Sequence, residues 1–209
     1  MENEIVTMNQ KTIHSEQTKH QIVEAATSLF ARKGFYGTTI SDLTQAVGLT
    51  KGALYYHFKD KDDIFFAVVD SVRRIWEKSV GEEIENASTS TTIEQMNILF
   101  KKHAEMISEN EFMCLVMSNL MNEMESVNPK FSSVLEEIYE DFIHFVNVLV
   151  QQGQMKGEIR KDIDSLLISI NIVGTLKAIG CYPQLKKIHV DRRAMADCIL
   201  KIFLEGLKA

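Results

Sequence analysis

Apolar residues recur every three to four positions along most of the chain, the spacing of one face of a helix. The pattern opens at Thr18, where Ile22, Ala25, Ala26, Leu29 and Phe30 share a face, and Gly34 ends the run as a C-cap glycine. A second helix is predicted from Ile40: Thr39 stands three residues before Asp42 as a capping box, Leu43 and Val47 continue the apolar side, and Gly48 closes it. Thr50 caps a third helix over Lys51 to His57, and Asp60 with Asp63 supports the start of a fourth near Lys61. Ile64, Phe65, Val68, Val69, Val72 and Trp76 carry that fourth helix unbroken over 61–85, until NASTSTT interrupts it near 86–92. Five more helical segments follow near 92–109, 112–126, 130–155, 162–181 and 191–207. Residues 1–17 are polar and aperiodic, and are expected to form a flexible tail.

The expected fold is therefore all-α, with a three-helix unit over 18–65 and a larger helical domain over 66–209. The three-helix unit has the outline of a helix-turn-helix, with the single turn GLT between its second and third helices. At about 100° per residue, Leu54 and Phe58 point inward, which leaves Gly52, Ala53 and Tyr56 facing out and Tyr55 and His57 on the borders. That outer face is too apolar for water alone and suits a surface that lies against something. Gly52 and Ala53 let backbone N–H groups approach phosphates, and the tyrosines offer ring contact to thymine methyls and hydroxyls to phosphate. The plainer reading is a half-buried tyrosine pair with wet hydroxyls.

Charge sharpens the picture. The net charge of −6 argues against a polyanion partner, but residues 1–61 hold seven Lys/Arg against six Asp/Glu, whereas the remainder holds sixteen against twenty-three. Nucleic-acid binding, if present, belongs at the front.

Residues 18–65, with the run FARKGFYGTTISDLTQAVGLTKGALYYHFKDKDDIF, resemble the DNA-binding domain of the TetR family of transcriptional regulators. The resemblance covers about the first third of the chain. It implies DNA contacts from Thr39, Thr50, Lys51, Gly52, Ala53, Tyr55, Tyr56, His57 and Lys61, repression of transcription, and a fourth helix that carries movement between head and body.

In the segment 112–126, Met113, Met117, Met121 and Met124 form a stripe accompanied by Leu120, and 130–155 adds Phe142 and Phe145 at helical spacing. Ordinary core is one reading of this set. The other, favoured by the resemblance, is a cavity lined by Met113, Met117, Leu120, Met121, Phe142 and Phe145 for an apolar small-molecule effector, such as a fatty-acyl compound or a lipophilic drug. Asn119, Asn122 and Glu123 are either ligand-orienting groups or the solvated side of that helix. The segment 162–181 is apolar on most of its circumference and needs cover from more than one side. Leu167, Ile170, Gly174 and Ala178, with Cys198 and Ile202 of the last helix, are the expected interface of a two-fold homodimer built as a four-helix bundle.

Other classes find little support. There is no Gly-rich phosphate loop, GxSxG or HExxH, so an enzyme is not expected. Cys114, Cys181 and Cys198 lack paired spacing and are expected as small core residues, a redox sensor being the alternative; the six histidines lack metal-ligand spacing. No metal and no cofactor are expected. The chain shows neither a signal peptide nor a membrane span, which predicts a cytoplasmic protein. A DNA-binding protein that answers to a protein partner or to DNA alone, with no small-molecule ligand and its helical part packed solid, is the alternative.

Overall fold

The computed structural model describes residues 2–110, 112–124, 129–181 and 191–208, and it is all-α. Its helices are α1 (Glu2–Lys33), α2 (Ile40–Val47), α3 (Lys51–His57), α4 (Lys61–Trp76), α5 (Glu82–Asn86), α6 (Thr92–Glu109), α7 (Met113–Met124), α8 (Pro129–Lys156), α9 (Ser165–Cys181) and α10 (Arg192–Leu207). A π-helical turn, Glu77–Gly81, joins α4 to α5.

The punctuation at the front is as the sequence predicts. Thr39 accepts from the Asp42 N–H while Asp42 accepts from the Thr39 N–H, the reciprocal capping box. Thr50 caps α3 and Asp60 caps α4. Gly34 and Gly48 sit at φ +75° and +68°, left-handed conformations that a Cβ would strain. The head is held by Ile22, Ala26 and Phe30 of α1, Leu43 of α2, Leu54 of α3, and Ile64 and Phe65 of α4, all fully buried. Each of the larger side chains contributes about 1.5–3 kcal/mol by leaving water, so Phe65→Ala would cost about 3–5 kcal/mol and break the head. The head is not sealed off: the Phe65 ring stacks on Phe131 of α8 at 4.3 Å, and Phe35 packs edge-on against both.

Two expectations are corrected. The region read as a flexible tail is the first half of α1: no glycine or proline occurs before Gly34, so nothing interrupts the helical ladder, and apolar periodicity reports packing rather than helix. Where it runs on, Thr18 Oγ1 donates to the His14 carbonyl, and exposed His20 pairs with Glu24 one turn further along. The fourth helix is not uniform to residue 85 either. It widens into the π turn, which buries Val80 and Gly81 against the body. An inserted π turn shifts the helix phase, a displacement that a 3.6-residue pattern does not reveal.

In the body, α8 packs along α9, and α6 lies against α8, α9 and α10. Ile168, Ile172, Leu176 and Ile179 form the inner face of α9. Its opposite face is bare: Leu166, Leu167 and Ile170 are each about half exposed.

Candidate DNA-binding face and effector cavity

The outer face of α3 is built as its spacing predicts. Leu54 is fully buried, which turns Tyr56 outward to 80% exposure and Tyr55 to 49%. The Tyr56 ring meets His57 edge-on at 5.1 Å, and a Cβ at Gly52 would meet only open space. Thr50 is exposed; its hydroxyl oxygen accepts from the Ala53 N–H at 3.2 Å, leaving its own proton free. Thr39 is more committed, since its hydroxyl both donates to and accepts from Asp42. Hydrogen bonds from Lys33 first, and from Thr39 next, hold the Asp42 carboxyl well below the usual carboxylate range.

Lys61, expected at a DNA phosphate, is engaged by the chain's own carbonyls. Its ammonium turns inward, donating to the carbonyls of Phe35 and Thr38 at 2.9 Å each and lying 4.3 Å from the Phe35 ring centre. Burial lowers its pKa, opposed by the carboxylates of Glu123 and Asp62. Lysine at the head of a helix reads from sequence as an exposed cation; the carbonyls that claim it come from a turn 23 to 26 residues away.

The same turn receives α7. Glu123 accepts from the N–H groups of Phe35 and Tyr36 at 2.7 and 2.8 Å, and Asn119 donates to the Ala31 carbonyl at 2.7 Å. These two residues are thus neither ligand-orienting groups nor an idle solvated side. They are the joint between body and head. Gly34 makes room for it, because a Cβ there would stand 2.7 Å from a Glu123 carboxylate oxygen.

The body holds a cavity of about 590 Å³, open on one side and bounded by α4, the π turn, α5, α6, α7, α8 and α9. Met113 and Met117 of α7 and Phe142 and Phe145 of α8 line it, as predicted; Met106, Ile107, Ile138, Tyr139 and Val173 complete its apolar wall. Leu120 and Met121 do not line it. Leu120 is fully buried and Met121 packs on the core elsewhere, because a stripe at i, i+4, i+8 drifts around its helix by about 40° per step. Charged groups reach the cavity from its rim: Arg73 with its partner Asp141, then Glu77, Glu82, Glu85 and Lys177.

Besides these rim charges, two residues with buried polar atoms, His103 and Trp76, line the cavity without having been assigned to it from the sequence. His103 Nε2 lies 3.2 Å from the Leu176 carbonyl oxygen, and burial pushes its pKa down to about 4, so the ring is neutral at pH 7. Trp76 packs between Phe142 at 4.7 Å and Phe145 at 5.1 Å. The signal that would have found them is their place on the apolar faces of α4 and α6, where a polar group needs a reason.

The bare side of α9 carries the other expected set. Leu167 is 57% and Ile170 46% exposed, Ile202 of α10 is 67% exposed, and a Cβ at Gly174 would meet nothing. Ala178 is half-buried and Cys198 exposed, so Cys198 is not the core residue expected of it; Cys114 is half-buried beside Gly180. The side chain of Cys181 and that of Met124 lie outside the described residues. Among the described residues no cluster of His, Cys, Asp or Glu is arranged to hold a metal, and no helix is long and apolar enough to cross a membrane.

Comparison with known proteins gives the architecture a family. Residues 22–68 match the model of bacterial regulatory proteins of the tetR family, and residues 63–206 match that of the YsiA-like protein C-terminal region. The fatty acid metabolism regulator protein of Bacillus subtilis (strain 168) is 21% identical over 187 residues, 90% of this chain and 94% of that protein. Among solved structures, FadR from Bacillus subtilis in complex with stearoyl-CoA superposes with a TM-score of 0.76 at 21% identity, covering 90% of this chain and 98% of that one. AibR in complex with isovaleryl coenzyme A and operator DNA superposes at 0.74 with 16% identity, covering 88% and 97%. Matched over head and body alike, the chain belongs to the TetR family of DNA-binding transcriptional regulators, and it is not an enzyme.

Proposed function

We propose that the protein is a homodimeric repressor that binds a palindromic operator and releases it when a small apolar effector occupies the cavity of its body. The observation that carries this reading is the cavity itself: about 590 Å³ of largely apolar space in a helical body, a volume within the range of small-molecule sites. It weighs against regulation by a protein partner with a solid-packed body. Methionine and phenylalanine walls suit a flexible hydrocarbon chain. The effector class is accordingly a fatty-acyl compound presented as its coenzyme A thioester, with the acyl chain inside; stearoyl-CoA and isovaleryl coenzyme A, named with FadR and AibR, support that class.

At the operator, Tyr55, Tyr56 and His57 meet base edges and sugar-phosphate, while Thr50, Lys51, Gly52 and Ala53 bring the start of α3 to the backbone. Thr39 flanks them at the head of α2. Lys61 serves this face indirectly by fixing the turn after α1. One seven-residue recognition helix makes few contacts, so two heads reading successive major grooves about 34–36 Å apart are required for tight binding. The bare apolar faces of α9 and α10 supply the dimer contact, since exposed apolar patches of this kind mark interfaces.

The test is fluorescence anisotropy of the purified protein on the DNA upstream of its own gene, against random DNA of equal length, across a salt series. Preference for the upstream DNA, abolished by palmitoyl-CoA but not by free coenzyme A, is the expected result. Retained operator binding at saturating acyl-CoA of every chain length would remove this effector class.

A further inference from the structure

Four buried side-chain polar atoms find no hydrogen-bond partner among the described residues, and two of them belong to residues that line the cavity: His103 Nδ1 and Trp76 Nε1. Their chemistry is complementary. The Leu176 carbonyl oxygen can only accept, so His103 Nε2 carries the ring proton and Nδ1 is left as an acceptor. Burial, which holds the His103 pKa at about 4, keeps Nδ1 unprotonated at neutral pH. The indole N–H of Trp76 can only donate. Phe142, itself part of the wall, lies against both rings, with centroids 4.7 Å from Trp76 and 6.3 Å from His103. Trp76 is also the last residue before the π turn, a feature frequent at functional sites. Leaving one donor and one acceptor unpaired in an otherwise apolar wall costs stability, and a ligand that pairs them recovers that cost on binding.

We propose that His103 and Trp76 form a polar station in the cavity, which selects an apolar effector bearing one group that both donates and accepts, a hydroxyl or a secondary amide. This rests on the reading of the cavity as the effector site and adds to it a specificity that a plain hydrocarbon wall lacks. A saturated chain fills the space but leaves both nitrogens unpaired. A chain with a hydroxyl at this depth takes a hydrogen bond from Trp76 and gives one to His103.

Three probes with equal numbers of non-hydrogen atoms separate the two bonds: nonane, 1-methoxyheptane and octan-1-ol. The ether oxygen can accept from Trp76 but has nothing to give His103; the alcohol serves both; the alkane serves neither. Calorimetric titration of the full chain is expected to rank them alkane, ether, alcohol, each step about fivefold tighter. Trp76 is the only tryptophan in the chain, so its emission reports whether each probe enters the cavity. His103→Phe should erase the alcohol-over-ether step and keep the ether-over-alkane step, while Trp76→Phe should do the reverse, with thermal melts confirming that each variant is folded. Equal affinity for the three probes overturns the proposal. So does a ranking that survives both substitutions, or unchanged Trp76 emission with all three. If only one variant folds, its own step still decides. These results do not depend on operator release by acyl-CoA, so failure of the thioester reading and failure of the polar station are told apart.

Discussion

At 80% exposure the Tyr56 ring has almost nothing beneath it to lose, so Tyr56→Ala should change folding stability by no more than about 0.5 kcal/mol. Operator affinity should fall about tenfold or more, since the ring is placed for base and backbone contact. Thermal melts and anisotropy on the same samples check both halves. Lys61 is its opposite. Lys61→Met removes two hydrogen bonds that hold the turn after α1 and should cost about 2 kcal/mol of stability. The slope of log affinity against log salt should stay unchanged; a drop of about one unit would restore Lys61 as a phosphate contact. His103 sets a pH dependence. Its pKa is 6.5 in an ordinary environment and about 4 in the folded chain, so between those values the unfolded state binds a proton that the fold does not. Stability therefore falls as pH drops from about 6.5 to about 4, by up to about 3 kcal/mol, and is flat above that window with respect to this group. The difference between wild type and His103→Leu in urea midpoints across pH 4 to 8 isolates it: wild type should lose stability relative to the variant only below about pH 6.5.

Among the elements, α7 joins the two ends of the proposed mechanism. Met113 and Met117 line the cavity, Asn119 half a turn further on holds the last turn of α1, and Glu123 one turn beyond that holds the turn after α1. A shift of α7 on ligand entry would pull on the two backbone N–H groups that Glu123 receives, and so on the base of the head. Sequence reading assigned that transmission to α4, which borders the cavity through Val72, Arg73 and Trp76 and reaches the head both through packing and through the Lys61 hydrogen bonds to the turn after α1. Glu123→Gln leaves one oxygen to serve two donors. It should keep acyl-CoA affinity within about twofold while shrinking the ratio of operator affinities without and with effector by about tenfold, read by calorimetry and anisotropy. An undiminished ratio would return the coupling to α4 alone. The limits of sequence reading lie along the same line. Caps, glycine stops and the inward set of α3 were legible because each is fixed by residues within four positions of one another. Glu123, Asn119 and Lys61 were not, since their partners are 23 to 88 residues distant and a charged side chain looks equally solvated until the chain is folded. The cavity was legible in part: the methionine stripe named the correct helix, but the turn of that helix, not the residue type, decides that Met117 lines the space and Met121 does not.

For the molecule as a whole, the decisive feature is the surplus of apolar surface on α9 and α10. The inner residues Ile168, Ile172, Leu176 and Ile179 saturate what the chain's own helices can cover, yet Leu166, Leu167, Ile170 and Ile202 stay 46 to 67% exposed. Leaving these large aliphatic side chains open forfeits several kcal/mol of available burial, and a second copy would recover it twice over if a two-fold axis paired each face with itself. Gly174 adds the close approach, with nothing among the described residues where a Cβ would stand. Charge at the centre of that face is the sharpest probe, since an isolated pair of like charges facing each other across the axis cannot be buried cheaply. Ile170→Glu is exposed in the single chain, so the monomer fold should hold within about 0.5 kcal/mol, while sedimentation should shift from dimer to monomer. Operator affinity should then fall at least about a hundredfold, as one head alone retains only its own half-site. A dimer that persists in Ile170→Glu with full operator affinity would place the two-fold axis on another face and leave the apolar surface of α9 without the role assigned to it.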